Sequence, residues 1–390
     1  MGTDYSKYNF NDIRPLNNDE VPEAIESLAN SDGFKRALSY IMPEKACEAF
    51  IASMRTYKTK EMFKATLAYN AVMEVAKKTT FSLTISGRSR IPEKSACTFI
   101  SNHRDIVLDA AFLNTLLLDI GYGMTQIAIG DNLLIHPWID TVVRLSNCFI
   151  VKRDVSIRQL LKSSVQLSTY IHHTIKDLKE PVWIAQREGR AKDSNDRTQN
   201  SVLKMLNLAG EHNNPLQNLS ELHIVPIAIS YEYDPCDFLK AKEFQQKRDN
   251  PDFVKSKRDD LLNMETGLLQ YKGRVHFTIG SPINDRLALL KDKNLDKNAL
   301  ITAVAEIIDK EIYRHYRFYP CNYVAYDLLH QSVRFRTNYD LRDKMEFEKY
   351  LQKQIDKIVD VPNKDERYLR TKMLEMYSNP LQNHILTTNL

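Results

Sequence analysis

Cysteine is scarce in this 390-residue chain, and its five copies (Cys47, Cys97, Cys148, Cys236 and Cys321) never stand in Cys-x-x-Cys spacing. An odd, dispersed set argues against a disulfide framework or a zinc site and fits reduced thiols in a cytosolic protein. Cys97 and Cys148 lie inside apolar runs, where cysteine serves as a small core residue. No metal ligand set is expected. Charge of one sign is also lacking: net +4, with a pI near 8.6, is too mild to argue for nucleic acid as a partner. A local basic surface facing anionic lipid or a phosphorylated substrate stays compatible with it. No window approaches the ~18–20 uninterrupted apolar residues of a membrane span. The longest apolar stretch, Leu108 to Leu118, is broken by Asp109 and Asn114. The first residues, Met1 to Glu20, are polar and carry no secretory signal. Met1-Gly2-x-x-x-Ser6 fits the minimal myristoylation pattern, which is short enough to match by chance. Internal repeats and low-complexity tracts are absent. With 43% hydrophobic and 27% charged residues the composition is that of an ordinary globular protein. Its length allows two or three domains, or one large core with additions.

Periodicity divides the chain into three parts. From about Val21 to Lys78 apolar residues recur at helical spacing, as in Ala65, Ala68, Val72 and Val75. This predicts an N-terminal helical subdomain over 1–79. From about Thr80 strand-like and helix-like runs alternate. Strands are expected at Phe81–Gly87, Ala96–Ser101, Gln126–Gly130, Cys148–Lys152, Pro181–Gln186, Leu222–Tyr231 and Val275–Ile279. Helices are expected at Val107–Leu118, Leu133–Leu145 and Val155–Leu178, with a polar helical stretch across Asp234–Lys272. Such alternation implies crossover connections and an α/β domain over 80–285, a mostly parallel sheet covered by helices on both faces. From Leu287 the pattern is helical again, which predicts a C-terminal helical extension over 286–390. His276 alternates with apolar neighbours and reads as structural.

Four stretches concentrate chemistry. The strand Ala96–Ser101 feeds directly into Asn102-His103-Arg104-Asp105 and then Asp109. A histidine at a strand-to-helix junction sits where open α/β sheets commonly carry their chemistry. Asp105 or Asp109 would fix its tautomer through Nδ1, leaving the imidazole as general base. Asp105 as a mere helix cap is the bland alternative. The second stretch is the apolar Cys148–Val151, which ends abruptly in Lys152-Arg153. The third, Trp183-Ile184-Ala185-Gln186, runs into Arg187-Glu188-Gly189-Arg190-Ala191-Lys192, where several cations around a glycine suit capture of a phosphate or carboxylate. Solvated loop charge is the bland reading of both. Val225-Pro226-Ile227 is the fourth, by itself a core strand.

In this order, from Asn102 to Ile227, the four blocks resemble the glycerophospholipid acyltransferase family. That family carries H-x-x-x-x-D, then a block ending in F-(I/V)-x-R, then E-G-x-R-S, then an apolar V-P block. The flanks Leu83–Gly87 and Thr278–Pro282 are similar too, so the likeness covers roughly 80–285. It implies an acyltransferase-type αβα domain and transfer of a fatty acyl group from a thioester, acyl-CoA or acyl-acyl carrier protein, without further cofactor. The acceptor implied is the hydroxyl of a glycerol phosphate or lysophospholipid. His103 would take the hydroxyl proton, Asp109 (or Asp105) would hold the ring, and backbone N–H groups near the helix start would stabilise the oxyanion. Arg153, Glu188, Gly189 and Arg190 match the acceptor-binding positions, with Arg104, Lys152, Arg187 and Lys192 as further cations. Two departures stand out: the family's Asp falls at Leu108, one residue before Asp109, and its Ser falls at Ala191. One residue turns a helix by ~100°, so only a bulge before the helix would bring Asp109 to the ring. Rival readings are a hydroxylated or amino lipid as acceptor, a thioesterase, and a degenerate, lipid-binding scaffold. Peripheral attachment to the cytoplasmic leaflet is expected. It would use an apolar patch and the basic run Lys240, Lys242, Lys247, Arg248, Lys255, Lys257 and Arg258, which also reads as a solvated helix face.

Overall fold

The computed structural model describes residues 5–153, 155–210, 212 and 214–388; the myristoylation-like start, Met1-Gly2, lies outside them. Seven strands form one sheet: β1 (Thr80–Ser86), β2 (Thr98–Ser101), β3 (Gln126–Gly130), β4 (Cys148–Val151), β5 (Val182–Ala185), β6 (Val225–Tyr231) and β7 (Gly273–Ile279). Their spatial order is β1-β7-β6-β2-β5-β3-β4. All neighbours run parallel except β6 and β7. The carboxyl ends of β2 to β6 therefore open on one edge, with β2 in the middle.

Side chains alternate across this sheet as a strand's period of two requires. Ile100, Val182 and Ile184 point into one apolar core with the helices Ile157–His173, Asn200–Leu206 and Lys297–Arg314. Phe99, Trp183, Ile227 and Phe277 point into the other, with Tyr69–Thr79 and Leu108–Asp119. Every residue of β6 is buried, as expected of a strand covered on both faces. The expected fold class, a mostly parallel sheet between helical layers with helical additions at both ends, is the fold observed.

The additions are integral to the layers. Helices Val21–Ala29, Asp32–Ile41 and Glu44–Met54 share an apolar core with Leu145, and Trp138 and Val142 pack against it. Upstream of them, Ile13 accepts a hydrogen bond from the Ile150 amide (2.8 Å) and so covers the outer edge of β4. At the other end, Leu300, Val304, Ile308 and Ile312 of helix Lys297–Arg314 cover the sheet itself. Pro320–Leu329, Leu341–Asp356 and Glu366–Thr388 build a separate core around Val324, Leu351, Leu369 and Met373.

Two local differences from expectation have simple causes. The helix expected from Leu133 starts at Pro137, because proline's fixed φ and missing N–H suit a first turn. The basic run does not form a free cationic face. Lys240 is buried against Asp234, Lys242 pairs with Asp360, Lys247 with Glu243, Arg248 with Asp249 and Asp365, and Lys255 with Asp260. Among the described residues Arg258 is exposed, and the Lys257 side chain lies outside the description. His276 is structural: its ring bridges Thr84 (2.7 Å) and Ser86 (2.9 Å) of β1. Among the described residues no helix is long and apolar enough to cross a membrane, and no group of three His, Cys, Asp or Glu could hold a metal ion.

Candidate active site

Strand β2 delivers His103 to the open edge two residues after its last hydrogen-bonded position, Ser101. The chain then turns sharply. One Asp105 carboxylate oxygen accepts the amides of Val107 (2.9 Å) and Leu108 (2.8 Å), so the helix begins at Leu108 and Asp109 stands in its first turn. This Asx-type turn absorbs the extra residue between His and Asp. It brings Asp109 Oδ2 to 2.8 Å from His103 Nδ1. The same oxygen accepts the amides of Arg104 (2.5 Å) and Asp105 (3.0 Å). Asp109 is thus the carboxylate hydrogen-bonded to the ring, whereas Asp105 shapes the turn. Burial and the neighbouring Asp109 push the Asp105 carboxyl above its ordinary range. Four amides of this turn, those of Arg104, Asp105, Val107 and Leu108, are thus engaged by carboxylates.

Trp183 of β5 completes the setting. Its indole N–H donates to Ser101 Oγ (3.0 Å), and its ring lies edge-on to His103, centroids 5.9 Å apart. With Nδ1 occupied by Asp109, Nε2 is the ring nitrogen left to accept a proton.

His103 and Trp183 line a cavity of about 710 Å³. Its deep wall is apolar: Val72 and Val75 from one N-terminal helix, Phe34 and Leu38 from another, and Val107, Leu108 and Ala111 beside the histidine. Trp138 lies at the side of the N-terminal helices, close enough to Gly33 that an added Cβ there would meet its indole at 2.5 Å. Its rim is charged, with Arg153, Arg187, Glu188, Gly189, Arg190, Lys192 and Lys255. Gly189 has φ +64°, a left-handed conformation that lets the loop after β5 fold over the rim. At the end of β3 a Cβ on Gly130 would meet Arg153 Nε at 2.8 Å, so glycine gives that guanidinium room to lie across the edge. Arg153 and Glu188 stand 4.0 Å apart. Arg190 donates one nitrogen to Asn263 (3.0 Å), while its other terminal nitrogen is buried with no partner among the described residues. Lys192 is held by Glu243, and burial lowers its pKa against the pull of that carboxylate.

Two expected substrate contacts are absent from the cavity. Arg104 turns inward and forms a buried two-pronged pair with Asp196 (3.1 and 2.6 Å). Burial opposes its charge most strongly, but Asp196, Tyr316, Asp234 and Asp109 together outweigh burial and keep the guanidinium ionised. Lys152 points to the outer edge and pairs with Asp12. Arg153, Arg187, Glu188, Gly189, Arg190 and Lys192 are brought together with His103, as described above. Trp183 and Asp196 were missed. Trp183 carried a legible signal, an amphipathic ring just before a cationic loop; Asp196 carried none.

The α/β domain thus sets an Asp-held histidine between an apolar cavity and a cationic rim. Residues 82–230 match the family model described as Acyltransferase, so the chain carries an acyltransferase domain from β1 into β6, with all four blocks inside it. Among solved structures, the 1-acyl-sn-glycerophosphate (LPA) acyltransferase PlsC from Thermotoga maritima is similar at 13% identity, covering 76% of this chain and 95% of that one, with a TM-score of 0.32. No curated protein matches the sequence.

Proposed function

We propose that the chain is an O-acyltransferase of phospholipid synthesis. It would transfer a fatty acyl group from a coenzyme A or acyl carrier protein thioester to the hydroxyl of a glycerol phosphate or lysophospholipid. The observation that carries this reading is the single cavity that joins an apolar wall, His103 and a rim of arginines. An acyl chain and a phosphate would meet across the imidazole.

In the reaction, His103 Nε2 takes the acceptor's hydroxyl proton as the oxygen attacks the thioester carbonyl. The tetrahedral intermediate collapses, the C–S bond breaks, and the leaving thiolate recovers the proton from the imidazolium. Asp109 orients the ring and stabilises its cationic form. No acyl-enzyme forms. Arg153 and Arg190 neutralise the phosphate, and the unpartnered nitrogen of Arg190 offers a donor for it. Arg187 and Lys192 add to the field at the same rim.

Helix Lys257–Leu269 contributes Met264 and Leu268 to the cavity while exposing Leu261, Leu262 and Leu269 outside. This supports peripheral attachment to the cytoplasmic leaflet through apolar contact, since most of the basic run is already paired.

The test is thiol release from palmitoyl-coenzyme A and palmitoyl-acyl carrier protein, with glycerol 3-phosphate, lysophosphatidate or no acceptor, for wild type and His103→Ala. Acceptor-dependent release that vanishes in the variant supports the reading and identifies both substrates. Release without acceptor points to a thioesterase. Near-normal activity in a folded His103→Ala protein ends the mechanism.

A further inference from the structure

The residues on both sides of His103 are fastened to one buried carboxylate that lies outside the cavity. Arg104 forms its two-pronged pair with Asp196, and Asn102 Nδ2 stands 3.5 Å from the same carboxylate. Asn102 is also locked to β6, accepting the Ile229 amide (2.8 Å) and donating to the Ile229 carbonyl (2.9 Å). Asp196 is fully buried. Tyr316 donates to its side chain and Tyr313 to its backbone carbonyl; Tyr313 stands in the last turn of helix Lys297–Arg314 and Tyr316 just after it. Lys240, itself held by Asp234, donates to the Arg104 carbonyl (3.3 Å).

We infer that Asp196 is a positioning residue for the general base, acting through Arg104; the inference rests on the role proposed for His103. The physical chain is short. The Arg104 amide is one of three donors to Asp109 Oδ2, and His103 Nδ1 is another. Anchoring the Arg104 side chain fixes its amide, the amide fixes the carboxylate oxygen, and that oxygen fixes the tautomer and tilt of the imidazole. A free loop would let all three drift, and a displacement of about 1 Å at reacting atoms can cost on the order of 100-fold in rate. Asp196 touches neither substrate nor ring. The C-terminal helical region thereby tunes a site that lies on the far side of β2.

The test compares Asp196→Asn, Tyr316→Phe and the charge-balanced pair Arg104→Gln/Asp196→Asn with wild type. The readouts are kcat, KM for each substrate, Tm, and the NMR resonance of the His103 Nδ1–H, assigned with His103→Gln. Asp196→Asn strands the buried guanidinium and is expected to lower Tm. The double variant removes that stranded charge and is expected to recover most of the Tm. If Asp196 positions the base, the double variant still shows kcat about 10- to 100-fold below wild type, KM values within about 2-fold, and a displaced His103 resonance. Tyr316→Phe keeps the Arg104 pair and falls between. Should Asp196→Asn fail to fold, the double variant and Tyr316→Phe decide. Recovery of kcat together with Tm in the double variant overturns the inference, as does an unmoved His103 resonance. A displaced resonance in a protein that transfers no acyl group in any assay upholds the positioning and removes only the proposed reaction.

Discussion

Filling the cavity beside the histidine should convert a long-chain enzyme into a short-chain one. Ala111 lies on the cavity face of helix Leu108–Asp119, with Val107 and Leu108 before it and Asn114 and Thr115 after. At 1.5 Å rise per residue, the helical wall from Val107 to Thr115 runs along the cavity for about 12 Å. Each methylene buried there contributes about 0.8 kcal/mol, or roughly 4-fold in kcat/KM. An indole at position 111 excludes a length of chain on the order of four methylenes. The loss for long donors is then about 3 kcal/mol, roughly 200-fold, while donors too short to reach the indole lose little. The assay is kcat/KM across a series from octanoyl to octadecanoyl thioesters, on whichever carrier the wild type uses, for wild type and Ala111→Trp. Wild-type activity should climb with chain length until the cavity of about 710 Å³ is full, and the variant should plateau earlier. A flat wild-type profile, or an unchanged profile in a variant of normal Tm, would refute the assignment of the cavity to the acyl chain.

Arg190→Ala should raise KM for a phosphorylated acceptor by about 10- to 100-fold and leave the donor's KM within about 2-fold, because a charge-assisted hydrogen bond is lost at the rim alone. Arg190→Lys should recover only part, as an ammonium cannot also hold Asn263 in the same geometry; equal effects on donor and acceptor would contradict the assignment. His276 gives a pH prediction. Burial, with Arg317 beside it, lowers its pKa to about 4, so the folded protein holds it neutral where the unfolded chain protonates it near 6.5. Its contribution to stability is full above pH 6.5 and is lost as pH falls from 6.5 through 4. Denaturant titrations should show wild type losing about 1–2 kcal/mol more than His276→Gln across that window. Asp237 and Asp309, each raised by burial to about 6, act in the opposite sense, since their cost is relieved as pH falls from 6 toward 3.8. The difference between wild type and variant isolates the histidine, and parallel curves would rule out its role.

Strands and sheet-covering helices were legible because their signals are local. Phe99 and Ile100 face opposite cores, and β6 is apolar from Val225 to Ile229 because both its faces are covered. The position of Asp109 was not decidable from helical period alone, because the period gives angles only once the start is known. Here the start is set by Asp105 closing a turn with its own side chain. Side-chain direction was the other limit. Arg104 follows the histidine directly, yet its partner Asp196 stands 92 residues away, and Lys152 is drawn outward by Asp12 from 140 residues upstream. Lys240 belongs to a basic run and is nonetheless buried, because Asp234, six residues earlier, neutralises it in the interior. The helices before β1 were readable as helices from their apolar spacing. Their use as a wall depends on which layer they meet, and no local pattern encodes that.

That wall separates two kinds of inheritance within one chain. The residues proposed to transfer the proton and grip the acceptor lie between His103 and Lys192, inside the segment that matches the family model. Phe34, Leu38, Phe63 and Val72, which enclose the apolar end, lie before it. In the proposed reading, the leading helices supply one side of the acyl wall and Val107, Leu108 and Ala111 supply the other, so a change in those helices reshapes the apolar end without touching His103.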